Sequence, residues 1–149
     1  MKNNNNHSTL LSSILIPIGG LLVLALCYIG YFAVYMFIES VFFTNNPTSV
    51  PAGIIRNSYT IVLIAVYLIL LRTKISDRFK AIILIGPMTM LIIAVILALY
   101  LTPVLAVIST MAIAACCFFL LYKYKKPWIY YYATGISVVA AIFYAWPRA

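Results

Sequence analysis

Five long apolar runs joined by short connections constrain this chain more than anything else in it. They cover residues 10–43, 54–71, 81–101, 104–122 and 128–146. Inside a bilayer every backbone N–H and C=O must find its partner within the protein, so an apolar run of about 17–25 residues crosses as an α-helix. The last four runs have that length. The chain therefore reads as all-α, a polytopic integral membrane bundle of five transmembrane helices with a long first helix. Composition leaves no soluble alternative. The chain is 66% hydrophobic and 8% charged, whereas roughly 25% of a soluble domain is charged. A single membrane domain follows, with a polar tail over residues 1–9 and one other extended polar stretch at 44–53.

The first run exceeds what a crossing needs. As one helix it reaches about 51 Å, against a hydrocarbon core of about 30 Å. It is expected either to continue past the outer interface or to bend into an interfacial piece. Pro17 and the Gly19-Gly20 pair permit a bend, and Asn45-Asn46-Pro47 and Pro51-Ala52-Gly53 supply turn chemistry to end it. The N-terminus makes a poor signal peptide, because Lys2 is its only cation and the apolar run does not stop where one would. Leu24-Ala25-Leu26-Cys27 resembles a lipobox, except that Leu26 is not small.

Charge sets the orientation. The chain carries ten Lys and Arg and a net charge of +8. Arg72, Lys74, Arg78 and Lys80 lie between the second and third runs, Lys123, Lys125 and Lys126 between the fourth and fifth, and Lys2 precedes the first. In a five-span chain these share one side, and only Arg56 and Arg148 fall on the other. The positive-inside rule then makes the N-terminus cytoplasmic and the C-terminus external, with the plasma membrane the expected location. The basicity is topological, since no basic patch interleaved with aromatics sits on a solvated domain, and nucleic acid is not an expected partner.

Groups able to do chemistry are scarce. The only acids are Glu39 and Asp77 and the only histidine is His7, in the Asn-rich tail. Cys27, Cys116 and Cys117 sit inside apolar runs with no CxxC spacing, which suits buried apolar residues rather than a metal or disulfide pair. No catalytic, metal or cofactor site is expected, and the chain is not read as an enzyme. Glu39 is the leading interaction residue. Tyr28, Tyr31, Tyr35 and Glu39 recur at helical spacing on one face, and Arg56 opens the next span on the same side, so a Glu39–Arg56 ion pair across the loop is expected. Asn57, Ser58, Tyr59 and Thr60 follow Arg56 and either contact a solute or satisfy their own helix and its neighbours. Asp77 is read as a solvated loop residue in a position to cap the third helix, and is assigned no chemistry.

Two stripes of small residues carry a packing signal. Ala133, Ser137, Ala141 and Ala145 recur every four residues in the fifth span, and Ala106, Thr110 and Ala114 in the fourth. Such stripes let helices approach closely, within the chain or against another. Gly86-Pro87 interrupts the third span, as a packing kink or a transporter-like break. Between the third and fourth spans only Thr102-Pro103 remains, which forces a tight helical hairpin. Tyr122, Tyr124, Trp128, Tyr130, Tyr131 and Tyr132 gather at the basic loop and Trp146 at the other end, in the manner of an aromatic belt.

Five spans with a Lys126-Pro127-Trp128 run resemble the translocator-protein family in architecture, but the two Trp residues here lack that family's proline-flanked, Trp-rich surroundings. The first span has no acid at its middle, unlike small multidrug-resistance transporters. The CxxC of vitamin K epoxide reductases is missing, as are the paired acids or Glu/His sets of intramembrane proteases. Two functions stay open. One is an accessory, assembly or immunity-type subunit packing against another membrane protein. The other is a small-solute or ion transporter or channel acting as a homo-oligomer. Reporter fusions test the topology: a fusion after Ala149 should report an external C-terminus, and one in the loop at residues 73–77 a cytoplasmic position.

Overall fold

A computed structural model describes residues 4–42 and 51–145, with side chains from Ser13 onward. The turn at Asn45-Asn46-Pro47, the side chain of His7, Lys2, Trp146 and Arg148 lie outside the described residues. The chain forms five helices: α1 (Asn4–Phe42), α2 (Ala52–Leu71), α3 (Asp77–Ala98), α4 (Pro103–Lys123) and α5 (Trp128–Ala145). All five are long and apolar enough to cross a membrane, the first over the 30 residues Ser13–Phe42.

The elements differ from the sequence reading mainly at their ends. Helix α1 already begins at Asn4, inside the segment expected to be a tail. Asn, Ser and Thr are mediocre helix formers, yet propagating an established helix costs little once the apolar run has nucleated it. Pro17 and Gly19-Gly20 do not split α1, which remains one helix rather than a span and a separate interfacial piece. Helix α2 takes Ala52-Gly53 into its first turn behind Pro51. Helix α3 starts at Asp77, four residues before the apolar run, and continues through Gly86-Pro87.

Helix α3 is the axis of the bundle. It packs most extensively on α5, then on α1, α2 and α4. In its most apolar stretch 61% of residues are buried, against 6% in α1. Lipid tails are as apolar as leucine, so burying apolar surface does not drive helices together here; close van der Waals fit does. The α1–α3 seam shows that fit. A Cβ on Gly20 would collide with Ile85 Cδ1, one on Gly19 would stand 3.0 Å from Ile82 Cγ2, and one on Gly86 would stand 2.7 Å from Cys27 Sγ and 3.0 Å from Val23 Cγ1. The glycines expected to permit bends instead bring two helices together. On the other flank Ala133, Ser137 and Ala141 of α5 are fully buried and Ala133 and Ala141 join the α3 core with Ile92 and Ile85.

These contacts set the helix directions. Gly19 meets Ile82 and Gly86 meets Val23 and Cys27, so α1 and α3 run in parallel. The Tyr130 hydroxyl donates to Asp77 Oδ1 at 3.0 Å, tying the start of α5 to the start of α3. Helices α2 and α4 return in the opposite direction, through connections whose backbone spans residues 72–76 and 99–102. The bundle thus has a basic end, with the α2–α3 and α4–α5 connections, and a hairpin end, with the α3–α4 turn.

Polar bonds lock the basic end. Lys80 is buried, and its Nζ donates to Leu71 O at 3.1 Å and Thr73 O at 2.7 Å, placing a cation on the carbonyl end of α2 where the helix dipole favours it. Asp77 is exposed, as expected, but it is the first residue of α3 behind the N-cap Ser76 rather than part of the loop; a negative charge is favoured there, and it accepts the Tyr130 bond. Helix α4 closes with Lys125 N–H donating to Tyr122 O and Lys126 N–H to Leu121 O, both at 3.0 Å. This is a Schellman closure with Lys125 at φ 47°, where glycine is the usual occupant. Lys126 Nζ then lies 5.5 Å from the centre of the Tyr130 ring. Of the aromatics assigned to a belt, Tyr122 and Tyr124 are exposed, whereas Tyr130 is buried in the core.

The glycine seam makes opposite predictions for two positions. Gly86→Leu should destabilise the bundle by about 1–3 kcal/mol through overpacking. Gly135, whose Cβ would meet nothing within 4 Å, should accept alanine with a gain of about 0.5–1 kcal/mol from helix propensity. Thermal unfolding in lipid nanodiscs checks both, and a stable Gly86→Leu variant would show that the seam is not tight.

Candidate functional site

The polar residues singled out by sequence gather at the hairpin end of α1 and α2, on an aromatic frame. Tyr59 reaches across from α2 and its hydroxyl donates to Cys27 O at 2.9 Å. Gly30 makes room for it, since a Cβ there would stand 2.6 Å from the Tyr59 hydroxyl oxygen. The Tyr31 ring lies 5.8 Å from Tyr59 and 6.3 Å from Tyr35. Tyr28, one turn below Tyr31, packs on Tyr144 of α5 at 4.9 Å. Three helices are thereby joined by tyrosines.

Arg56 enters this frame from α2. It is half-buried, its Nε is buried without a hydrogen-bond partner, and it lies one turn from Tyr59, whose ring packs on Tyr31. The expected Glu39–Arg56 pair is not formed among the described residues. Register explains why. Tyr59 sets α2 against α1 at the level of Cys27 to Tyr31, and Arg56 lies one turn above Tyr59 on an antiparallel helix. Glu39 stands two turns above Tyr31, about 12 Å further along the axis of α1. Helices α1 and α2 also touch less than the other packed pairs, because α2 leans on α3. Glu39 is half-buried on a part of α1 that has outrun its neighbours.

The residues after Arg56 divide by face. Asn57 and Ser58 are exposed, while Tyr59 and Thr60 turn inward. Thr60 donates its hydroxyl to Arg56 O at 2.9 Å. Thr110, Thr134 and Ser137 likewise donate to the carbonyls of Ala106, Tyr130 and Ala133, four residues back, at 2.8 to 2.9 Å. These hydroxyls are satisfied within their own helices and do not glue helices together. Thr89 Oγ1 in α3 and Tyr28 Oη in α1 are buried without a partner.

The two small-residue stripes have different surroundings. Ala133, Ser137 and Ala141 are covered by the chain itself. Ala106 and Thr110 are buried and Ala114 is half-buried, and with Ala145 they line a cavity of about 480 Å³ between α3, α4 and α5 that Ile96, Met111 and Phe118 also border. A shallower groove runs between α1 and α5 along Leu21, Leu24, Val139 and Phe143. Both are apolar and open sideways. Among the described residues no three His, Cys, Asp or Glu side chains gather as metal ligands. All three cysteines are free, with Cys117 Sγ 3.6 Å from Met88 Sδ.

No family model, no curated protein and no solved structure matches the chain. What the site can do thus rests on its own geometry: an aromatic frame, one unpaired cation and one unpaired acid at different heights. The sequence reading found Arg56, Tyr35 and Glu39 but not Tyr144 or the Tyr59–Cys27 bond. The pairing of Tyr59 with Gly30, a large residue opposite a missing side chain, is visible only once the register of α1 and α2 is known.

A double-mutant cycle tests the separation of the two charges. Glu39→Gln and Arg56→Gln should be additive within about 0.5 kcal/mol in nanodisc unfolding, as expected of groups with no shared partner. A coupling above 1 kcal/mol would show that they pair.

Proposed function

We propose that this protein is a non-catalytic subunit that packs against another integral membrane protein, as an accessory, assembly or immunity-type component. The observation that carries the reading is the projecting end of α1. Two independent registers, Tyr59 against Gly30 and Gly86 against Val23 and Cys27, place Phe42 about 8 Å beyond the starts of α2 and the end of α3. The projecting turn carries Val41 and Phe42, which are 54% and 71% exposed, beside Glu39, and Phe37, 65% exposed, lies level with the start of α2. Within the hydrocarbon such side chains are covered by lipid tails. Past its edge they are not, and a protein surface is the natural cover. The remainder of α1 offers a long free flank, since this helix is the least buried of the five.

The transport alternative finds less support in the packing. The middle of the bundle is filled by α3, and the cavities described open laterally and are apolar. A conduction path would need a polar lining and, for so small a chain, a homo-oligomer. The orientation we infer places the basic end in the cytoplasm, the hairpin end and the projecting end of α1 outside, and the protein in the plasma membrane. The seven cations of the two basic-end connections and their flanking turns support this.

Purification of the tagged chain in a mild detergent, with mass analysis of the intact particle, tests the reading. A stoichiometric second protein is expected, and it should be lost when Phe37 and Phe42 are both changed to Ser while the bundle still folds. A clean homo-oligomer with no second protein would overturn it in favour of transport.

A further inference from the structure

We propose that Arg56 binds a phosphate group, that of a membrane lipid headgroup in the leaflet at the hairpin end. This stands independently of the partner reading. Arg56 lies four residues into α2, so its Cα sits about 6 Å inside the start of that helix, at the edge of the hydrocarbon. A guanidinium keeps its charge in any protein environment, and at this depth an uncompensated charge is costly. The chain cannot supply the counter-ion from its own side chains. It holds two acids: Asp77 is at the basic end, engaged with Tyr130, and Glu39 stands about 8 Å beyond the level of Arg56 along α1 and does not pair with it. An anion from outside the chain would compensate this charge.

The geometry favours a headgroup phosphate over other anions. Arg56 is half-buried, with its Nε enclosed and without a hydrogen-bond partner, and an arginine so placed near a helix start can snorkel its terminal nitrogens to the interface. A planar guanidinium matches two oxygens of a phosphate. Tyr31 packs its ring on Tyr59, one turn along α2 from Arg56, and its hydroxyl makes no hydrogen bond among the described residues, which leaves a second donor near the same group. The Tyr31–Tyr35 and Tyr31–Tyr59 contacts hold that phenol in place. The faces of α2 beside Arg56 are open, with Asn57 and Ser58 exposed, so two acyl tails have room to descend along the helix.

Native mass spectrometry of the full chain in detergent tests this, with titration of phosphatidylglycerol and of a diacylglycerol carrying the same tails but no phosphate. The wild-type chain should bind the phospholipid about tenfold more tightly than the diacylglycerol. Arg56→Gln should erase that preference, Tyr31→Phe should reduce it about threefold, and Arg56→Lys should retain most of it, since an ammonium still attracts phosphate as a point charge. Arg56→Lys also guards against a folding defect in the glutamine variant, with circular dichroism reporting on both. Displacement of the phospholipid by millimolar inorganic phosphate would keep the anion site but assign it to a soluble phosphate. Equal binding of the two lipids, or an unchanged preference in Arg56→Gln, would overturn the proposal. So would loss of a co-purifying protein from Arg56→Gln with lipid preference intact, which would make the anion a partner's carboxylate.

Discussion

The close approach of α1 to α3 at Gly19, Gly20 and Gly86 is the contact on which the remaining arrangement hangs. In water a helix pair gains from removing apolar surface from solvent, and a loose fit still pays. In lipid that gain vanishes, and two helices stay together only where their surfaces meet at van der Waals distance. Three missing side chains allow this for α1, although almost all of its remaining surface faces outward. The same seam sets the height of α1 relative to α3. The projection of Val41 and Phe42 beyond the bundle follows directly from that height, as does the distance that keeps Glu39 from Arg56.

The two ends of the bundle use polar groups in opposite ways. At the basic end the groups are spent internally: Lys80 satisfies the carbonyls that end α2, and Tyr130 joins α5 to Asp77 in the first turn of α3. At the hairpin end Tyr59 is satisfied by Cys27 O, but the Tyr28 hydroxyl and the Arg56 Nε are buried without a partner. A charge without an internal partner near a membrane boundary is a group held ready for something outside the chain. Both proposals made for this protein draw on that asymmetry, one from the acid and apolar side chains at the projecting end of α1, the other from the half-buried cation on α2.

Much of the candidate site was legible in the residues themselves, though not its pairing. Glu39, Arg56 and the tyrosines at helical spacing stand out because ionisable and aromatic groups are conspicuous in an apolar chain. Their mutual distances depend on how far α1 slides along α2, and no local pattern encodes that slide. Tyr130 looked like one more interfacial aromatic because it follows Trp128 at a basic loop, yet Asp77, 53 positions earlier, draws it into the core. Gly86-Pro87 looked like a break for the same reason: a glycine that weakens a helix and one that admits a neighbour read identically until the neighbour is known.

The sequence by itself determined the number of helices, their approximate limits, the membrane as solvent and the gathering of cations at one end, because run length and charge placement act locally and lipid admits few backbone solutions. Only the tertiary structure decided which helix is central. The spans α1, α3 and α4 have mean hydropathies of 2.3, 2.7 and 2.6, yet α3 is mostly buried and α4 and α1 are mostly exposed. In water, polarity marks the outer face of a helix. In a bilayer the surroundings and the core are equally apolar, so the choice falls to shape: where a glycine lies opposite an isoleucine, where a tyrosine finds a gap, and how far one helix must slide to bring them together.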